Sequence, residues 1–119
     1  MEQPKEQTAQ EFFQDIRSKI KPYTVVFLIK GNKRDQDENV MDEIQLNHLK
    51  YLNDLREKGF LPMHGPLADG GNVIGIAIYN SSDAEQVKQW CEGDPGFKAG
   101  RFSYEIHPFF TFPGSTLPW

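Results

Sequence analysis

The chain has 119 residues with 13 Lys and Arg against 17 Asp and Glu, a formal charge of -4, and its basic residues are scattered. No basic run tracks a phosphate backbone, so nucleic acid is not an expected partner. The length fits one domain, and an aromatic share of 13% with nine Phe supplies the bulky apolar material for a core. The longest apolar run, Tyr23 to Ile29, is too short to span a membrane, and MEQPKEQTAQ lacks the basic and apolar parts of a signal peptide. A soluble cytoplasmic protein is the expectation. The single Cys91 leaves no internal disulfide and no Cys-x-x-Cys zinc site, and it is expected to be a small buried apolar residue.

Thr8 to Ile20 places Phe12, Phe13, Ile16 and Ile20 at spacings near three and four, which predicts a short amphipathic helix ending before Pro22. Tyr23 to Lys30 (YTVVFLIK) is apolar on both faces, with Val25, Phe27 and Ile29 on one and Val26 and Leu28 on the other, so a central strand is predicted. Gly31 to Glu38 reads as a polar loop. Asn39 is placed to cap a helix running to about Lys58, with Asp42 and Glu43 in its first turn and Gly59 in the left-handed position after it. Phe60 to Leu67 predicts a second strand, at an edge because Pro62 has no ladder donor.

Ala68 to Asn72 is a turn, in which Asp69 supplies turn chemistry. Val73 to Asn80 predicts a third strand with Ile74, Ile76 and Ile78 on one face and the small Gly75 and Ala77 on the other, over which something must pack closely. Ser82 and Glu85 form a capping box for a helix carrying Ala84, Val87, Trp90 and Cys91 in one stripe, which Gly93 and Pro95 stop. Gly100 to His107 alternates Phe102, Tyr104 and Ile106 with polar residues, as a half-buried strand does.

The resulting order is βαββαβ after one extra helix, an α+β, ferredoxin-like arrangement. Right-handed crossovers place both core helices on one face of a four-stranded sheet. The other face of the apolar first strand then lacks cover, and a second copy of the chain is the simplest one. A homodimer is therefore expected. The tail, rich in Pro and aromatics, is expected to strap across a surface or partner.

A 100° step per residue along Met41, Ile44, Tyr51, Leu52 and Leu55 places His48 near the middle of the inward stripe of its helix. The plainer reading is a core imidazole satisfied by hydrogen bonds; the functional one is a base facing the sheet. Asp94, extended before Pro95, sits at a defined corner after the other helix, either as a loop acid or as a partner for that base. His64 at a strand end and His107 on a polar strand face are expected to face solvent. No His-x-x-x-His pair of ligands occurs, so no metal is expected, and no glycine-rich phosphate loop supports a nucleotide.

Four pieces in register carry a resemblance: His48-Leu49 with Gly59 beyond, Gly65-Pro66-Leu67-Ala68-Asp69-Gly70, Asp94-Pro95-Gly96-Phe97, and Tyr104-Glu105-Ile106-His107-Pro108-Phe109. In order and spacing the chain resembles the YciI-like (YCII-related) proteins. The resemblance implies a dimeric α+β barrel with a helical extension at 1–22, a YciI-like domain at 23–110 and a tail at 111–119. It also implies that His48 and Asp94 form an active-site pair, and some related proteins remove chloride from a chlorinated hydroxyquinol ring. Gln45, Leu46 and Asn47 stand where such proteins commonly carry an Arg, and His107 stands where a basic residue often precedes the proline. An anionic substrate anchored by that Arg is therefore not expected. The function expected is proton transfer on a cyclic or aromatic small molecule without a cofactor, His48 acting as base and Asp94 orienting it. The alternative is a dimeric module that binds a small ligand or assists another protein and turns nothing over.

Overall fold

A computed structural model describes residues 6–119; residues 1–5, which begin the expected extension and the stretch read for a signal peptide, lie outside the described residues. Its elements are α1 (Ala9–Lys19), β1 (Lys21–Lys30), α2 (Glu38–Glu57), β2 (Met63–Pro66), β3 (Val73–Tyr79), α3 (Ala84–Glu92), α4 (Pro95–Lys98) and β4 (Phe102–Thr111). The strands form one sheet in the order β2-β3-β1-β4, with every neighbouring pair antiparallel. This is the ferredoxin-like order, with α1 added in front and the single-turn α4 inserted before β4.

The apolar run of β1 lies between β3 and β4. Val26, opposite Ala77 on one side and Ile106 on the other, is fully buried. Its neighbours in the core are Leu52 and Leu55 from α2, Leu61, Tyr79, and Val87 and Cys91 from α3, so both long core helices cover the same face of the sheet. Trp90 is stacked between Phe60 and Tyr79, with ring centroids 4.9 and 5.6 Å away, and closes the core at the α3 side. The opposite face carries Tyr23, Val25, Phe27, Ile74, Ile76 and Ile78, which are only partly buried.

Several boundaries differ from the expectation, each for a local reason. The helix α2 starts two residues sooner than a cap at Asn39 implies: Asp37 is the N-cap, and its carbonyl accepts from the Met41 N–H at 2.8 Å. The capping box at Ser82 is absent. Asp83 caps α3 instead, its carboxylate accepting from the N–H groups of Glu85 and Gln86, and an anion suits the positive end of a helix better than a hydroxyl. The second strand is short because Leu61 is drawn wholly into the core and Pro62 has no N–H for the ladder, so pairing begins only at Met63. β2 is an edge strand, as expected. β4 runs on to Thr111 through Pro108, which an edge strand tolerates, and Gly59 adopts its left-handed φ of 81° after α2.

The two ends of the chain project from this body. No residue of α1 is buried, Phe12 and Phe13 are 51% and 58% exposed, and the radius of gyration of 18.6 Å exceeds the roughly 13 Å of a compact chain this long. The tail borders the open sheet face, where Phe112, Gly114 and Leu117 join Tyr23, Met63 and Ile78 around a broad depression of about 690 Å³. Replacing the fully buried Leu61 by Ala should cost about 2–5 kcal/mol in urea unfolding. Phe12→Ala on the projecting α1 should stay within about 0.5 kcal/mol of wild type, and a larger loss would mean that α1 is held against the body in solution.

Candidate active site

The helix stripe brings His48 over the sheet, and the Asp-Pro-Gly-Phe turn brings Asp94 to meet it. The His48 Nδ1 and Asp94 Oδ2 atoms are 2.7 Å apart, with the two side chains 13% and 4% exposed. Each residue of the turn has a task. Asp94 is extended at the N-cap of α4, and its other oxygen, Oδ1, accepts from the Gly96 N–H at 2.8 Å. Pro95 takes the first helical position, where no N–H is needed. Gly96 is obligatory because a Cβ there would collide with the ring of Phe102, which itself lies edge-on to the His48 ring at 5.3 Å. The imidazole is therefore gripped by a carboxylate at one nitrogen and an aromatic edge along its side.

In the neutral tautomer whose Nδ1–H donates to the carboxylate, Nε2 keeps its lone pair. Among the described residues no protein group hydrogen-bonds to Nε2, and none of the buried side-chain nitrogen and oxygen atoms is without a partner. Nε2 is thus an accessible nitrogen. The His48 ring lines a cavity of about 280 Å³, near the ~300 Å³ lower end of small-molecule sites and sized for one substituted ring. Leu28, Ile44 and Phe102 supply apolar wall, and the small Gly75 lies along it. The close packing expected over Gly75 and Ala77 is present: both are buried, Leu28 lies against Gly75 and Ala77 is in the core, and both border the cavity.

His64 belongs to this site, contrary to the solvent-facing position expected of it. It pairs with Ala77 across β2 and β3, so its side chain turns to the helix face and lines the cavity with His48. The strand's shortness hid this, because the parity of a four-residue strand is hard to read. Burial, then the positive Arg56 and the neighbouring His48, hold its pKa below the ordinary 6.5. Arg34 and Arg101 also line the cavity, from a loop and a strand end read as polar surface. Only their nearness to glycines, Gly31 and Gly100, hinted at a close approach of two backbones.

Of the remaining candidates, Cys91 borders the cavity, while His107 and Asp69 lie elsewhere. His107 sits on the open sheet face beside Phe27, 3.9 Å from Glu105, and is about half exposed. Asp69 accepts from the Gly71 N–H in the turn before β3. Cys91 is buried against Tyr79, and burial pushes its thiol up to about 12, so it stays protonated and is no nucleophile. Among the described residues no three His, Cys, Asp or Glu side chains are grouped so as to hold a metal ion.

A family model, the YCII-related domain, matches residues 24–110. The chain belongs to the YCII-related family. The match begins within β1 and ends within β4, so it spans the βαββαβ body and leaves α1 and the tail outside. Among solved structures, this YCII-related chain is similar to the 5-chloro-2-hydroxyhydroquinone dehydrochlorinase of Burkholderia phenoliruptrix in complex with 2,5-dihydroxybenzoquinone. The identity is 23% and the TM-score 0.53, covering 71% of this chain and 90% of that one. At this identity the likeness is one of fold. No curated protein matches the chain, and no described helix is long and apolar enough to cross a membrane.

The lowered His64 pKa has a consequence for stability. Folding favours the neutral ring, so its contribution is complete above the ordinary 6.5 and is lost as the pH falls from there through the lowered value. An NMR titration should give His64 a midpoint below 6.5, and His64→Gln should flatten the fall of melting temperature on acidification. A midpoint at or above 6.5 would contradict the buried, cation-facing position.

Proposed function

We propose that this YCII-related protein is a small enzyme that needs no cofactor and transfers a proton on a cyclic or aromatic small molecule, in an isomerisation or an elimination. His48 is the base, working through Nε2. Asp94 keeps the proton on Nδ1 and stabilises the imidazolium once the substrate proton has moved. The observation that carries this reading is the 2.7 Å contact between His48 and Asp94 at the wall of an open, ring-sized cavity. The similar dehydrochlorinase, solved with a dihydroxybenzoquinone, indicates where to look first: an electron-rich, hydroxylated ring.

Assembly and location belong to the same proposal. The sheet face that carries Tyr23, Val25, Phe27, Ile74, Ile76 and Ile78 is to be covered by a second copy in a cytoplasmic homodimer. Light scattering at micromolar concentration should give about twice the 13.7 kDa of the chain, and Ile76→Glu should bring it to the monomer value. A wild-type monomer would remove the dimer from this proposal.

Asp94→Asn separates catalysis from structure. The Asn side-chain oxygen still accepts from Gly96, so α4 keeps its cap. Its NH₂ group, however, donates to Nδ1, which forces the proton onto Nε2 and removes the base. Chloride release from 5-chloro-2-hydroxyhydroquinone, or isomerisation of related hydroxylated rings, should fall by roughly 10²–10⁴-fold while the melting temperature moves little. His48→Ala should do the same. Unchanged turnover in either variant, or wild type that neither binds nor converts such rings, would defeat the reading.

A further inference from the structure

We infer that Arg34 and Arg101 form an anion-binding subsite at the rim of the His48 cavity, so that the ligand is a ring bearing an anionic oxygen group such as a carboxylate. The inference rests on the cavity being the functional site and names the chemistry of what enters it.

The two side chains cross and lock each other. Arg34 Nη1 donates to the Arg101 carbonyl, while Arg101 Nη1 donates to the Arg34 carbonyl and to Gln36 Oε1. The backbones beneath are laced together as well: Gly31 N–H donates to Arg101 O at 2.9 Å and Lys33 N–H to Gly100 O at 3.0 Å. Gly31 has no room for a side chain against Gly100 and Arg101, and Gly100 needs its left-handed φ of 77°. Both guanidiniums are therefore held in place by bonds to neutral acceptors. Among the described residues no carboxylate lies within 4.0 Å of either, although acidic residues outnumber basic ones in the chain as a whole.

The balance of charge around the cavity is positive as a result. Its lining holds two guanidiniums and one carboxylate, and both oxygens of that carboxylate, Asp94, are already bonded to His48 and Gly96. Nothing in the wall answers the Arg pair. Each guanidinium carries five N–H donors in a planar fork, and the bonds above use one nitrogen of each, which leaves donors for a planar oxyanion. A ring held by its anionic group at the rim extends inward along the apolar wall toward His48 Nε2.

The test is an NMR titration of the full chain near neutral pH with benzoate and, separately, with benzamide, which has the same shape and no charge. Benzoate should shift the His48 imidazole signals and bind about tenfold or more tightly than benzamide. The preference should shrink with added salt in wild type, and should largely vanish in Arg101→Gln and Arg34→Gln. Arg101→Lys, which keeps the charge and loses the fork, should fall between. If both compounds shift His48 with equal affinity, the cavity stands as the binding site and the anion subsite is wrong. If neither shifts His48, the cavity reading itself fails. The salt series in wild type decides the matter even where an Arg variant does not fold.

Discussion

The Asp94 carboxylate is the constraint on which the site depends, because its two oxygens tie together segments far apart in the chain. Oδ1 starts α4 and Oδ2 holds an imidazole that arrives from α2, so one nearly inaccessible side chain fixes both a backbone turn and a ring orientation. A buried carboxylate is costly unless every lone pair that faces protein is used. Here a backbone donor and a ring donor use them. The turn also directs the chain beyond it: α4 closes at Gly100, Arg101 leaves it by donating its N–H to Gly96 O, and β4 begins with the Phe102 ring against His48. Site and fold share the same few residues.

Much of this was legible in the sequence, and for identifiable reasons. β1 is apolar on both alternating faces because it is central, and that one observation implies a covered sheet. The stripe on α2 turns His48 inward, because the register of a 20-residue helix tolerates no ambiguity by its third turn. Asp94 before Pro95 announced an extended residue ahead of a new turn. That these two meet was not contained in either pattern; only their resemblance to a known arrangement joined them, since no local rule states how α2 and the α3–α4 corner are juxtaposed.

The unread parts share a cause. Asp37 and Asp83 both took capping positions that Asn39 and Ser82 also qualified for, and neighbouring acceptors compete within a residue or two of a helix start. His64 lies on a strand too short for its alternation to be evident. Arg34 and Arg101 acquire meaning only when the loop after β1 is laced to the end of α4, a pairing across 67 positions of sequence that no window captures. Hydrophobic periodicity reports the face of an element. It says little about which polar side chains meet where loops converge.

The pairing of Lys21 with Thr111 at one end of β1, and of Lys30 with Phe102 at the other, has an architectural consequence. Both extensions of the chain depart from one corner of the sheet, and the two arginines stand past the opposite end, roughly 30 Å away along a ten-residue strand. A segment added in front of α1 would start far from the arginine end of the cavity, whereas the tail shares a depression with His64 and so borders the other side of the site.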